Sequence, residues 1–559
     1  MASRRCLFAA AAAAAFAVTA AAPAPPFDLR VETLAAPLLI DNRAPRFSWR
    51  LDAAVEQTAY RVLVWAGGAE LLWDSGEVAS NASAQIAFAG RALASDADYS
   101  FLVGVRDGAS GGAWANASAP GTFSTGLLDS ERDWDDAAWI GGRNQLRAEF
   151  ALAAGADLSR ARAYVAGVGF YELFVNGARV ANDTQGRETL VNPGFSTVFS
   201  ARVLYNAYDV APLLRAGQVN VVGIRLGMGK YGYLGEFCVD TPDGCNSAIL
   251  RLTVGASPVV VTALVTGAQW RATTSSILKD HLYNGETVDA RIEQAQRGWA
   301  APGYVPGADW VAATVRAAPP TAALSAHTMA QVTGWEPPRA PVAMTPLPGG
   351  AFVFDLGVNG AGRCTLTLPG PTPAGANVTL VHAETLNKDG SVLVGFHCPC
   401  ACCADGGNCA NQTFSYITRG VPAGDSESYR PTFAYSGFRW VQVLGWPPAP
   451  APAPTASALS CVATSSGVAA TGDVSFGAAS PQGRLLNGVQ ALVVRTQRSN
   501  LASIPTDCPQ RGEASTEESI ILTMPPYAHA LARTDPDPPS VPLLYDRKAR
   551  VDGGCVGQR

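Results

Sequence analysis

Short runs in which apolar and polar residues alternate constrain this chain most. Arg46-Phe-Ser-Trp-Arg-Leu51, Tyr60-Arg-Val-Leu-Val-Trp65 and Tyr99-Ser-Phe-Leu-Val-Gly-Val-Arg106 all follow that pattern. Successive side chains of a strand point to opposite faces, so each run buries one face of a sheet. Turn dipeptides such as Asp107-Gly108 and Gly111-Gly112 punctuate them. With 56 glycines, 39 prolines and 16% charged residues, the composition favours many short strands over long helices. A chain of 559 residues exceeds one core, so several domains are expected. The net charge is −5 and no basic run stands out, which argues against a nucleic-acid partner.

Residues 27–127 read as a small immunoglobulin- or fibronectin-III-like β-sandwich. The segment from Trp134 to Gly141 reads as a linker into a larger β-domain, 134–330. Asn176-Gly177 is the strongest hairpin signal in the chain, because both residues tolerate positive φ. A third β-domain is expected over 335–463, followed by a different pattern from 466 to 559. There Ser480 suits a helix cap and Pro481 its first position. Leu485, Val489, Leu492 and Val493 then fall on one helical face. The helix is predicted to end near Asn500 and run into Ser503-Ile-Pro-Thr-Asp507-Cys-Pro-Gln-Arg511-Gly-Glu513. Two carboxylates, a guanidinium and a thiol are concentrated there, and no periodicity is visible beyond Ala514.

The first 22 residues read as a secretory signal: Arg4 and Arg5, an alanine-rich apolar run, then small residues. No later apolar stretch is long enough to span a bilayer, so a secreted or lumenal protein is expected. Sequons at Asn81, Asn116, Asn182, Asn377 and Asn411 agree with that compartment. Cys238 and Cys245 bracket a short loop that a disulfide could close. Cys398, Cys400, Cys402, Cys403 and Cys409 crowd another loop, which reads as a disulfide-stapled insertion. The alternative is a metal site beside His397, although the spacing matches no standard zinc pattern.

Several motifs together carry a resemblance. Arg30-Val-Glu32 with Pro45-Arg-Phe-Ser-Trp-Arg-Leu51, Phe170-Tyr-Glu-Leu-Phe-Val-Asn-Gly177, Asn192-Pro-Gly-Phe195 and Leu226-Gly-Met-Gly-Lys-Tyr-Gly232 are the first four. Asn284-Gly-Glu-Thr-Val-Asp-Ala-Arg291, Phe354-Asp-Leu-Gly-Val-Asn-Gly360, Tyr435-Ser-Gly-Phe-Arg-Trp440 and Pro505-Thr-Asp-Cys-Pro-Gln-Arg511 complete the set. In this order the chain resembles the bacterial-type α-L-rhamnosidases, inverting glycoside hydrolases that remove terminal L-rhamnose. The resemblance implies a mainly β fold of tandem sandwiches: fibronectin-III-like, carbohydrate-binding-type and a further β-domain. The beginning of an α-helical (α/α)6 barrel then follows. It makes Glu513 the general acid and assigns Asp507 and Arg511 to the rhamnose hydroxyls. Inversion needs a second carboxylate about 6.5–9.5 Å away to activate water. In the family that general base lies further along the barrel, so it is expected to be absent from these 559 residues, and a shortened, inactive form is expected. Glu517 and Glu518 read as solvated helix charges.

No cofactor is required by such chemistry. Some relatives bind calcium in the carbohydrate-binding-type domain, and Asp183, Asn192 and Glu236 are the oxygen-bearing candidates here. Asn176 reads as a turn residue rather than a ligand, and Phe170 and Tyr171 as core rather than sugar platform. The rival to the enzyme reading is a non-catalytic, secreted carbohydrate-binding protein of several β-domains.

Overall fold

The computed structural model describes residues 24–108, 112–180, 189–191, 203–229, 246–256, 259–316, 323–394, 410–468, 470 and 472–506. The alternating runs near the N-terminus become the strands Arg46–Arg50, Gln57–Ala66 and Asp98–Asp107. They belong to a three-stranded and a five-stranded sheet. Phe47, Val62, Val64, Phe101, Val103 and Phe123 from both sheets fill one core. The Phe47 ring centroid lies 4.7 Å from that of Phe101 and 6.0 Å from that of Phe123.

The second domain packs a six-stranded sheet against a seven-stranded one. Tyr171, Leu173 and Val175 of Phe170–Val175 face Ala161, Ala163 and Val165 of Ala161–Val168 in its core. Asn176 and Gly177 adopt φ of 50° and 85° and turn Phe170–Val175 into Ala178–Val180. The Asn176 side chain is fully committed: its Nδ2 donates to Leu213 O and Asn220 Oδ1, and its Oδ1 accepts from Val221 N.

The segment expected to be a linker is instead packed. Trp134 and Trp139 are buried with Leu39, Leu127, Tyr164 and Tyr205 between the first two domains. Ile140–Gly141 is a strand paired with Ser247–Val254. Two tryptophans bring more apolar area than a solvated linker can leave exposed, so the chain folds them into the joint.

The third domain is built on an eleven-stranded sheet whose spine is the long strand Phe352–Pro369. The sheet also takes strands from the second domain's stretch of sequence. Gly285–Asp289 runs parallel to Thr413–Ile417, and Thr189–Val191 pairs with Val332–Gly334. Backbone groups at a sheet edge need partners, and borrowed strands supply them. The two domains therefore interlock rather than meeting at one point in the sequence. A disulfide with no local sequence signal joins Cys364 to Cys461 on adjacent strands.

A short helix α1 (Ala290–Ala295) follows Asp289, whose side chain caps it by accepting from Arg291 N. The predicted long helix is α2 (Pro481–Ser499), capped by the Ser480 side chain on Gly483 N and ending at Asn500. It docks by its polar side. Glu336 accepts from Arg495 and Arg339, and both Arg495 and Arg498 stack on the Trp335 ring at 5.2 and 5.3 Å. Its apolar stripe faces outward, with Leu485 and Leu492 68% and 66% exposed. No helix among the described residues is long and apolar enough to cross a membrane.

Candidate functional site

Asp507, Arg511 and Glu513 lie outside the described residues, as do Glu517, Glu518, Asp183, Asn192, Glu236, Cys238, Cys245 and the cysteine loop 398–409. What the structure places is the platform that leads directly to Asp507. After α2 the chain makes a very tight hairpin, Leu501–Ala502 against Ile504–Pro505. Its tip, Ser503, has φ of 80°, a left-handed conformation that costs a non-glycine residue about 1 kcal/mol or more. Strain of that size persists only where the surroundings fix it.

Three contacts do so. Ser466 Oγ accepts from Ser503 N at 2.8 Å, Ser465 Oγ donates to Leu501 O at 3.3 Å, and Thr506 N donates to Asn500 O at 2.9 Å. Ser465 and Ser466 end the strand Leu459–Ser466, which pairs with the spine strand over Leu459–Ala463, while the two serines themselves lie opposite Thr333 and Val332. Ser503, Thr506 and Leu501 are all buried. The hairpin is therefore pinned to the third sheet where the strand Val332–Gly334 joins it.

Tyr435 stands beside Thr506, and burial pushes its phenol up to about 12. The Thr506 hydroxyl pulls in the other direction, but the pair does not close a hydrogen bond of normal geometry. The buried hydroxyls of Tyr435, Ser436, Thr464 and Thr506 have no hydrogen-bond partner among the described residues.

The spine strand bulges next to this hairpin. Between Asp355, opposite Trp440, and Gly360, opposite Phe438, it carries extra residues. Gly357 takes φ of 75° in that bulge, with its amide on Asp355 Oδ1. A side chain on Gly360 would lie 3.6 Å from Ser499 Oγ, so the bulge lies against the end of α2. Asp355 accepts both arms of Arg439 at 2.8 and 2.9 Å, which holds its carboxyl below the usual range. Asn359 donates to Glu384 at 2.6 Å on the same rim.

Among the described residues no group of three or more His, Cys, Asp or Glu side chains gathers to hold a metal. Phe170 and Tyr171 are buried, as core positions. The Asn284–Arg291 motif serves the interior of the protein, where Glu286 accepts from the Thr432 and Phe433 amides at 3.0 and 3.1 Å.

Interlocked β-domains that seat a helix-led hairpin at the foot of an Asp-Cys-Pro-Gln-Arg segment define a modular β-sandwich protein. Known proteins share this layout. Residues 26–129 match the Rha78A-like N-terminal immunoglobulin domain. Residues 156–334 match the alpha-L-rhamnosidase N-terminal domain, and 345–463 the bacterial alpha-L-rhamnosidase concanavalin-like domain. The chain is an α-L-rhamnosidase-type protein. An α-L-rhamnosidase of Streptomyces avermitilis is 35% identical over 376 residues, 66% of this chain and 32% of that one. One from Formosa agariphila is 26% identical over 520 residues, 85% of this chain and 51% of its own length. The solved α-L-rhamnosidase of Dictyoglumus thermophilum superposes with a TM-score of 0.74 at 28% identity, covering 88% of this chain and 54% of that one. The Streptomyces avermitilis structure, complexed with L-rhamnose, gives 0.73 at 22% identity over 88% of this chain and 62% of that one, a likeness of fold. The chain thus spans about a third to a half of the curated relatives it matches.

Proposed function

We propose that this chain contributes to the hydrolysis of terminal L-rhamnose from glycosides with inversion. In this reading Glu513 gives its proton to the leaving oxygen, while Asp507 and Arg511 hold the sugar's hydroxyls. The observation that carries it is the buried, strained hairpin that ends at Thr506, one residue before Asp507. A carboxylate and a guanidinium four residues apart suit vicinal hydroxyls, because charge-assisted hydrogen bonds are roughly twice as strong as neutral ones.

Titration of the full chain with L-rhamnose tests this. Asp507→Asn is expected to weaken binding about tenfold or more, the loss of about 1.4 kcal/mol from one charge-assisted bond. Glu513→Gln is expected to leave rhamnose binding in place, because the general acid acts on the leaving oxygen. Equal binding by Asp507→Asn and the wild type would refute the assignment.

We also propose that the protein is secreted. The Cys364–Cys461 disulfide supports an oxidising compartment. Asn81, Asn377 and Asn411 are exposed, whereas Asn116 is half-buried in the strand Ala113–Asn116, with its Oδ1 enclosed. Peptide mapping after expression in a glycosylating host is expected to find glycans on Asn81, Asn377 and Asn411 and none on Asn116. A fully occupied Asn116 would contradict the fold at that strand.

A further inference from the structure

We propose that a cleft between α2 and the bulge of the spine strand binds an organic carboxylate. The cleft is made of described residues of the third domain and α2, and it does not depend on the roles assigned to Asp507, Arg511 and Glu513.

Leu356, Val358, Phe438 and Val462 give the cleft apolar walls, and Glu336, Arg339 and Arg495 line its charged side. It is shallow, about 350 Å³ counted to its open mouth, so it takes one end of a ligand rather than the whole of it. Three guanidinium groups meet one carboxylate here. Glu336 accepts from Arg495 at 2.6 and 3.3 Å and from Arg339 at 2.5 Å. Arg339 spends only Nη2 on that bond, and its Nε and Nη1 have no hydrogen-bond partner among the described residues. Arg498 lies over the Trp335 ring and has no carboxylate partner among the described residues. Glu384 accepts from Asn359, which also lines the cleft. Even with Glu384 counted, three guanidinium groups face two carboxylates, and one positive charge stays in excess.

The planar fork of arginine matches a carboxylate, as Arg495 on Glu336 already shows. Sulfate or phosphate carries oxygen on every side and would press some of it against Leu356 and Phe438, where no side-chain donor stands. An anion with its charge at one end of a carbon body suits both halves of the cleft. The guanidinium groups are also held in advance. Arg339 exchanges two backbone hydrogen bonds of 2.8 Å with Cys461, which is bridged to Cys364 on the spine strand. Arg495 is fixed by Glu336 and by the Trp335 ring 5.2 Å away. Groups ordered beforehand lose little freedom when a ligand arrives.

Calorimetric titration of the full chain at low salt tests this. The probes are sodium benzoate and sodium glucuronate, with benzyl alcohol and glucose as uncharged controls. A carboxylate is expected to bind with a Kd of about 1 mM, and the controls about tenfold more weakly or worse, the effect of losing one charge-assisted bond. Binding of benzoate alone identifies an apolar acid as the ligand, and binding of glucuronate alone an acidic sugar. Arg339→Gln is expected to weaken binding about tenfold. Val358→Asp should do the same by placing a like charge at the mouth, and this residue is 41% exposed, so the fold tolerates the change. A wild-type chain that takes up neither carboxylate at about 10 mM overturns the proposal. Controls that bind as well as the acids overturn it too. Unchanged affinity in either variant overturns the placement in this cleft. Sulfate that displaces the bound acid at equal concentration overturns the choice of a carboxylate. The L-rhamnose titration of Asp507→Asn bears only on the function proposed above, so the two readings fail separately.

Discussion

Glu286→Ala is expected to destabilise the joint between the second and third domains by about 3–5 kcal/mol, because three donors lose their acceptor, whereas Glu286→Gln is tolerated. Glu286 sits on the borrowed strand Gly285–Asp289 and is 1% exposed. Its carboxyl accepts from the amides of Thr432 and Phe433 and, at 3.3 Å, from the Tyr429 hydroxyl. Alanine would leave the buried Tyr429 hydroxyl and Phe433 amide, and the part-buried Thr432 amide, without their acceptor. Glutamine keeps an oxygen for the amides and offers its own N–H to the tyrosine oxygen.

The same burial makes the joint sensitive to pH. It pushes Glu286 up to about 7 from 4.5, with the Asp280 charge adding and the two amides and Arg363 opposing. Asp280, held by Met228 N at 2.6 Å, is pushed up to about 6 by burial. A raised carboxyl is protonated in the folded state where the unfolded chain is already ionised. Stability is therefore highest below the unfolded value and falls as pH rises through the window from about 4.5 to 7, by at most about 1.4 kcal/mol per unit for one group. Urea unfolding at pH 5, 6, 7 and 8 checks this: the Gln variant should gain on the wild type as pH rises. Parallel curves across that range would show that Glu286 does not titrate there.

The alternating runs of the first domain could be read as strands because one buried face is a purely local pattern. The same locality explains Ser480, Pro481 and the Asn176-Gly177 turn. It fails for Trp134 and Trp139, whose burial depends on Leu39 and Tyr205, far away in sequence. It fails again for Cys364 and Cys461, which are 97 residues apart and become opposite only when their strands pair. Glu286 could be quoted from a motif, yet nothing near it in sequence says that its partners are the amides of Thr432 and Phe433. The candidate site divides in the same way. The roles of Asp507, Arg511 and Glu513 come from the motif's resemblance alone, without any structure, while the seat of the hairpin on Ser465 and Ser466 has no sequence signature. A pair of serines ending a strand becomes informative only once the Ser503 amide is seen to meet one of them.

A second carboxylate joins the first domain to the second, and Asp96→Ala is expected to cost about 3–5 kcal/mol by stranding a buried arginine. Asp96 Oδ1 accepts from Arg160 Nη2 at 2.5 Å and from the Tyr164 hydroxyl at 2.5 Å, while Oδ2 accepts from Thr253 Oγ1 at 2.7 Å. All three donors belong to the second domain, and all are buried. Arg160 also reaches Asp98 at 3.0 Å, but that carboxylate is 47% exposed and holds it less firmly. Asp96 itself has φ of 53°, a region that Asp and Asn tolerate better than Ala. Two effects could thus make Ala costly, the lost charge and the strained backbone, and Asp96→Gly separates them. Glycine relieves the strain and still strands Arg160, so if the charge dominates, Gly and Ala should lie within about 1 kcal/mol of each other, the size of the backbone term. Asp96→Asn keeps an acceptor and the backbone preference and should fall between them and the wild type. The readout is calorimetric: losing the pair should split unfolding into an early transition of residues 27–127 and a later one of the remainder. A Gly variant as stable as the wild type would assign the cost to the backbone and leave the Arg160 pair with little net worth.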